Sequence, residues 1–452
     1  RKGCRIAAVK AGSSSAGSRA ASSHTGALAS SDVAVDALFR KAGIVRCYGR
    51  EELTTVASIF MHPRLTGKNI AVITHAGGPA VMLTDALSNN GLEVPPISGS
   101  KANELLSKLF PGSSVANPID FLATGTAEQL GYIIDACEND FSHIDAMAVI
   151  FGSPGLFPVY DVYDLLDKKM SECHKPIFPI LTSVINVRDE INQFIAKGRV
   201  NFPDEVVFGN ALTKVYNTPD PAPEDPKLPI IDTSRIRRVI DGCSNGYLQP
   251  NQVQELLDAA GIPRTGEAIV KTATDATSAA MKMGFPVVMK VVGPIHKTDV
   301  GGVVLDVRDE QMVTREFNRM MGIKDTTAVL IQPMLKGLEL FVGAKREGLF
   351  GHVVLCGLGG IFIEVLKDVK AGIAPIEANE AHSMIKHLQG YGMIKGARGQ
   401  EPVNENLFAD IISRVSVLVG VAPEIFEMDI NPLLGTKDKV VAVDARIRIE
   451  KK

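Results

Sequence analysis

Apolar runs of strand length recur along the chain, separated by stretches with apolar residues at helical spacing. Ile6-Ala7-Ala8-Val9 reads as a buried strand. Residues 12–23 (GSSSAGSRAASS) are too poor in apolar groups to pack and read as a loop. From Thr25 to Lys41, Leu28, Val35, Leu38 and Phe39 form the stripe of an amphipathic helix, with Gly43 as its C-cap and Ile44–Arg46 as a strand-like return. Ile70-Ala71-Val72-Ile73 is a second buried strand, followed by Gly77-Gly78 and a helix from about Pro79 to Asn89. Ala146–Phe151 and Pro176–Leu181 continue the rhythm. Alternating apolar strands and helices predict a parallel, doubly wound sheet over residues 69–220.

The rhythm stops at residues 218–229 (TPDPAPEDPKLP), where five prolines and three acids mark a linker. Beyond it, residues 247–261 predict an amphipathic helix closed by Gly261. Phe285–Val292, Gly301–Asp306, Thr327–Gln332, Glu339–Ala344 and His352–Leu355 follow as strands, and Val440–Asp444 as the last one. That half is α+β.

Composition narrows the class. With 452 residues, a prior of about 150 residues per domain suggests about three domains. Apolar residues are 45% and charged residues 22%, ordinary for a globular protein. The net charge is −3 and no basic stretch points to nucleic acid or a membrane surface. No apolar run reaches the ~18 residues of a spanning helix. Six cysteines without a C-x-x-C pair favour reduced thiols and a cytoplasmic setting over disulfides or zinc. The chain begins with Arg1, and an apolar strand with nothing before it leads us to expect further chain upstream or on a partner polypeptide.

The second half carries the clearest chemistry. Lys290 ends an apolar run, where an ammonium can reach phosphate oxygens. Gly301-Gly302 offers backbone N–H groups without Cβ atoms in the way. Ile331-Gln332-Pro333-Met334-Leu335 followed by Glu339 has the spacing of a hinge that pairs with adenine, with a carboxylate placed for ribose hydroxyls. Asp429-Ile430-Asn431-Pro432 and Val443-Asp444-Ala445-Arg446 offer two oxygen donors, Asn431 and Asp444, for Mg²⁺ against nucleotide phosphates. Singly, each has a plain reading: a rim lysine, a turn, a solvated acid.

Together, GFPVVMK, HKTDVGGV, IQPM, GLELFVG, GLGGIFIEV, DINPL and VDAR resemble the ATP-grasp domain of NDP-forming acyl-CoA synthetases, relatives of succinyl-CoA synthetase, over residues 233–452. The resemblance implies ATP/ADP on Lys290, Gly301, Gly302, Gln332, Met334 and Glu339, with Glu364 also in the cleft, and Mg²⁺ on Asn431 and Asp444. It also leads us to expect an arginine beside Ala371-Gly372, where none stands.

The first half fits the same family. His24, in ASSHTGALA, stands between a small-residue loop and a helix start; a neutral imidazole is a competent phosphoryl acceptor, and a helix N-terminus favours the resulting anion. A lone histidine there reads as a cap or surface residue. The string resembles the family's phosphohistidine loop, which makes His24 the expected carrier. Residues 1–62 resemble the C-terminal part of a succinyl-CoA-ligase-like flavodoxin domain, and 63–217 a flavodoxin-like ligase domain, joined by linker 218–232 to the ATP-grasp domain at 233–452. Gly77 and Gly78 are then expected to open a helix N-terminus facing the phosphohistidine, with Ala116–Asp120 shaping a loop nearby, and His296 to relay phosphate to ADP, the alternative being that the 12–23 segment swings and carries His24 to the nucleotide by itself.

The implied reaction is acyl-CoA + ADP + phosphate to carboxylate + CoA + ATP, by an acid–thiol ligase of the ADP-forming acetate–CoA ligase type. The alternative is a non-catalytic or regulatory relative that senses CoA metabolites. The expected partners are small molecules, and an oligomer or a partner supplying the CoA-binding domain, since most of the CoA site falls outside this chain. The acyl group and the choice between ATP and GTP are open from sequence.

Overall fold

The computed structural model describes residues 3–14, 16–20, 31–153, 158–183, 185–293, 300–360, 368–397, 399 and 401–451. The chain divides into two compact units, Arg1–Asp32 with Phe39–Pro221, and Val33–Leu38 with Ala222–Lys452.

In the first unit, β1 (Ile6–Val9) pairs in parallel with β2 (Ile44–Cys47). Strands β3 (Ile70–Thr74), β4 (Ile119–Asp120), β5 (Ala146–Ile150) and β6 (Ile177–Ile180) form a parallel sheet in the order β4-β3-β5-β6. Helices Gly77–Ser88, Ala127–Asn139 and Tyr160–Glu172 make the crossovers. Alternate residues of each strand enter different cores. Ala71, Ile73, Met147 and Val149 pack with Leu130 and Ile133 on one face. Ile70, Val72, Ala148 and Ile150 pack with Leu83 and Phe208 on the other. Burial on both faces explains the unbroken apolar runs. The doubly wound expectation holds.

Three local expectations change. Ile6 and Val9 are 50% and 43% exposed, so β1 is not a buried strand; in a two-stranded sheet its apolar side chains have one neighbour to cover them. Residues 16–20 are helical where a loop was expected, because small residues with low apolar content still include helix-tolerant alanine and arginine. The helix expected over Thr25–Lys41 is interrupted at Ser31: its described part is Asp32–Ala42, with its acidic residue in the first turn and Arg40 and Lys41 in the last, and residues 25–30 lie outside the described residues.

The second unit holds two antiparallel sheets. β8 (Ala268–Val270), β9 (Val287–Val292), β10 (Val303–Val307) and β11 (Ala328–Pro333) lie in the order β10-β9-β11-β8. Val287, Met289, Val291, Val329 and Ile331 face helices Ala273–Met283 and Glu310–Met321. The opposite face therefore carries Lys290 and Gln332. The larger sheet contains β7 (Gly246–Tyr247), β12 (Leu338–Arg346), β13 (His352–Leu358), β14 (Val369–Ile373), β15 (Ile425–Gly435) and β17 (Ala445–Ile449), in the order β14-β13-β12-β15-β17-β7, with β16 (Val440–Ala442) on β15. Helix Glu405–Val421 packs into its core.

The helix expected over 247–261 runs from Pro250 to Ala260. Proline suits its first turn, Gln249 and Gln252 form a capping box, and Gly261 closes it at φ 69°. The strand expected over Val440–Asp444 stops at Ala442, and β17 follows it. Pro432, which has no N–H, interrupts the opposing strand there. Val443 N–H donates to the Pro432 carbonyl at 3.0 Å and Asn431 N–H to the Asp444 carbonyl at 3.1 Å. Val443 and Asp444 thus form the junction between two ladders. All six cysteines are free thiols. Among the described residues, no helix is long and apolar enough to cross a membrane.

Candidate functional site

Two strands of the second unit converge on the carbonyl of Val443. Lys290 Nζ, from β9, donates to it at 3.4 Å. Gln332 Nε2, from β11, donates to it at 3.1 Å. Lys290 is 8% and Gln332 2% exposed, so the small sheet presents two buried polar groups from an otherwise apolar face. Beside them opens a cavity of about 390 Å³, whose lining includes Gln332, Asp444, Arg446, Glu267, Gln254 and Leu330.

Gly301 and Gly302 are placed next to Lys290 by the β9–β10 register, in which Val303 pairs with Lys290. Gly301 has φ +66°, and its carbonyl accepts from Arg319 at 3.0 Å. The Gly302 carbonyl accepts from Val291 N–H at 2.8 Å. Met334 is different from expectation in one respect: its backbone N–H donates to Pro286 at 3.0 Å, which commits that donor to the sheet. Glu339, on β12, is outside the cavity lining. Its carboxylate lies against Gly360, whose φ is +61° and where a Cβ would collide with Glu339 Oε2.

Asn431 and Asp444 are cross-strand neighbours through the 3.1 Å backbone hydrogen bond, and opposed positions of an antiparallel pair share a face. Asp429, two residues before Asn431, is exposed on β15. Among the described residues, no group of three or more His, Cys, Asp or Glu side chains is placed to hold a metal ion. A two-donor oxygen pair suits Mg²⁺, which completes its shell with phosphate and water. Ala371, beside which an arginine was expected, is buried in the sheet.

In the first unit, helix Gly77–Ser88 begins at Gly77 as β3 ends. Its N-cap, Ala76, offers no side-chain acceptor. The early N–H groups therefore lack a capping side chain. Thr74 Oγ1 donates to the Ala76 carbonyl at 2.7 Å and shapes the turn. Asp120 Oδ2 lies 3.8 Å from where a Gly77 Cβ would be, and nothing lies within 4 Å of that position at Gly78. His75 stacks on Phe151 at 4.5 Å, and its Nδ1 faces the Ile150 carbonyl at 3.4 Å. Burial holds His75 below its ordinary pKa. Asn117 acts differently from a site loop. Its Oδ1 accepts from Val72 N–H at 2.9 Å and its Nδ2 donates to Ile70 at 3.0 Å and Pro95 at 2.8 Å.

His24, His296 and Glu364 lie outside the described residues. Sequence reasoning missed Glu267, Gln254 and the Val443 carbonyl. A backbone carbonyl has no residue signature, and Glu267 occupies a short connection that alternation does not single out.

The second unit thus carries a small antiparallel sheet with Lys290 and Gln332 on one face and an open cavity, and the first unit carries a parallel, doubly wound sheet. Residues 242–449 match the family model described as an ATP-grasp domain, and residues 1–60 that of a succinyl-CoA ligase like flavodoxin domain. The chain belongs to the family of ADP-forming acetate–CoA ligases. It is 31% identical to acetate–CoA ligase [ADP-forming] I of Archaeoglobus fulgidus over 98% of this chain and 66% of that protein. It is 30% identical to 4-hydroxybutyrate–CoA ligase [ADP-forming] of Nitrosopumilus maritimus over 95% of this chain and 64% of that protein. It is 38% identical to the beta subunit of acetate–CoA ligase [ADP-forming] I of Pyrococcus furiosus over 47% of this chain and 97% of that subunit. The chain thus spans just under two thirds of the length of the first two relatives.

Proposed function

We propose that this chain carries the phosphoryl-transfer half of an ADP-forming acyl-CoA synthetase, converting acyl-CoA, ADP and phosphate to carboxylate, CoA and ATP. A phosphate oxygen attacks the thioester carbonyl, the C–S bond breaks, and CoA leaves as its thiol. A nitrogen of His24 then attacks phosphorus of the acyl phosphate, the P–O bond breaks, and the carboxylate departs. The phosphoryl group passes to the terminal oxygen of ADP, with His296 as a relay.

The observation that carries this reading is the meeting of Lys290 and Gln332 on the Val443 carbonyl, next to Asp444 and a nucleotide-sized cavity. Lys290 there holds and orients phosphate oxygens, and the loop Gly301-Gly302 closes over them. The proposed metal donors are Asn431 and Asp444; Mg²⁺ bound there supplies charge neutralisation for phosphoryl transfer. Gly77 and Gly78 open a helix whose uncapped N–H groups favour an oxyanion, which fits stabilisation of the phosphorylated His24. The relatives named for acetate, 4-hydroxybutyrate and trans-ferulate support a carboxylic acid as the acyl substrate class and leave its size open. The separate beta subunit of one relative supports assembly with a partner domain that binds CoA.

The test is labelling of the chain with [γ-³²P]ATP and Mg²⁺. The wild type takes up acid-labile phosphate and His24→Ala does not; full labelling of His24→Ala overturns the carrier role. Slow labelling of His296→Ala at normal nucleotide affinity identifies the relay.

A further inference from the structure

A second cavity, of about 60 Å³, lies within the first unit, and its lining includes Met61, Met170 and Cys173. A space of that volume is only about 5 Å across, so the side chains around it are mutual neighbours. Two segments bring the three sulfurs there. Met61 follows helix Arg50–Ile59, and its N–H donates to the Ser58 carbonyl at 3.1 Å. Met170 lies in the last turn of helix Tyr160–Glu172, and Cys173 directly follows that helix. Three residues is the spacing of neighbours on one helix face. The chain beyond Cys173 is pinned, since His174 N–H and Lys175 N–H donate to the Glu138 carboxylate at 2.9 and 3.2 Å.

The charges around the cavity leave room for a cation. Lys175 and Arg199 line it, but both are engaged: Lys175 Nζ donates to the Cys137 and Phe141 carbonyls at 2.6 and 3.1 Å, and Arg199 Nε to Asp167 at 2.6 Å. His62 shares the wall, and burial lowers its pKa to about 4, so it is neutral at pH 7. Its sealed Nε2 is not needed as a ligand. Burial pushes the Cys173 thiol up to about 11, and the Glu138, Asp135 and Glu172 carboxylates add to this against Lys169. The negative charge that disfavours a bare thiolate favours a cation bound to it.

We propose that Met61, Met170 and Cys173 form a binding site for one soft monovalent cation, Cu(I). Thiolate and thioether sulfurs select Cu(I), whereas Mg²⁺ takes oxygen ligands. On binding, the Cys173 S–H bond breaks, an S–Cu bond forms and the proton passes to water, with no change of oxidation state. The unbranched methionine side chains can turn their sulfurs onto the ion. Met61 is 66% exposed, which gives the ion a way in.

The experiment is anaerobic titration with Cu(I), in competition with bicinchoninate, of the full chain carrying Cys4→Ser, which removes the exposed thiol. This protein is expected to bind one Cu(I), with sulfur neighbours in its X-ray absorption spectrum. Adding Cys173→Ser weakens the binding about tenfold or more. Met61→Leu combined with Met170→Leu keeps the volume and every remaining thiol, and also weakens the binding about tenfold or more. The methionine pair gives its answer even where Cys173→Ser fails to fold. Unchanged affinity in the methionine variant reduces the event to an ordinary thiol and overturns the site. Equal binding without Cys173, or no bound Cu(I) in the Cys4→Ser protein, overturns it as well.

Discussion

Asn431 and Asp444 are joined by a backbone hydrogen bond of 3.1 Å, from the Asn431 N–H to the Asp444 carbonyl. The bond lies where Pro432 breaks the ladder, so the two oxygen donors meet at the junction between β16 and β17 and not within a regular strand pair. Asp444 also lines the cavity that Gln332 faces. If this pair holds Mg²⁺ against nucleotide phosphates, Asp444→Asn keeps the shape and loses the charge. The Mg²⁺ concentration for half-maximal labelling of the chain by ATP should rise about tenfold or more, since a carboxylate is the stronger of the two ligands. An unchanged Mg²⁺ dependence removes Asp444 from the metal site.

Lys290 occupies the same face of the small sheet as Gln332 and is 8% exposed. Lys290→Met preserves most of the aliphatic stem that packs there and removes the ammonium. ADP affinity measured by calorimetry should fall about 10- to 100-fold, as expected for a charge-assisted contact to phosphate. The melting temperature should change little by comparison. Normal ADP affinity in this variant sinks the phosphate-binding assignment.

Much of this was legible in the sequence, for a physical reason. Strands buried on both faces, such as Ile70–Thr74 and Ala146–Ile150, advertise themselves as unbroken apolar runs. Helix ends with dedicated chemistry, such as Pro250 and Gly261, do so as well. Lys290, Gln332 and Asp444 were visible because a polar group ending an apolar run needs a reason. A strand through Asn431 was expected, but its full extent, Ile425–Gly435, was not legible because its exposed and buried residues do not alternate cleanly around Pro432. Glu267 escaped because it accepts from the Gln332 amide, a fact of tertiary pairing 65 residues apart. β1 misled in the other direction, since apolar residues do not guarantee a cover.

Asn117 has φ +66°, and its side chain substitutes for a strand neighbour along β3, accepting from Val72 and donating to Ile70 and Pro95. Losing these bonds in Asn117→Ala should cost roughly 2–4 kcal/mol, because three partly buried backbone groups lose their partner and alanine resists the left-handed region. Asn117→Asp is the sharper variant. It is nearly isosteric and keeps the acceptor for Val72, yet sets a carboxylate against two carbonyls. Denaturant melts at neutral pH should therefore find Asn117→Asp less stable than Asn117→Ala. The reverse order would show that the donor half of the amide matters little.

His62 gives the clearest pH signature. It is 5% exposed, with its ring 4.9 Å from that of Phe178 and 5.7 Å from that of Phe202. Burial lowers its pKa to about 4; its hydrogen bond with Ile177 opposes this, and the charges of Arg199 and Arg5 add to it. The folded state therefore binds this proton less readily than the unfolded chain, whose histidine titrates near 6.5. The sign follows directly: His62 costs nothing above pH 6.5, and destabilises increasingly as pH falls from there toward 4, where the loss levels off. Between pH 7.5 and 5 the loss amounts to about 2 kcal/mol. His75 and His352 are shifted in the same direction, so the slope must be isolated by substitution. His62→Phe removes the titrating group, and a cavity of about 60 Å³ beside it gives the larger ring room. Urea melts of wild type and His62→Phe at both pH values should show the variant losing about 2 kcal/mol less on acidification, whatever its stability at pH 7.5. Parallel losses in the two proteins would mean that His62 takes up its proton in the folded state as readily as in the unfolded one.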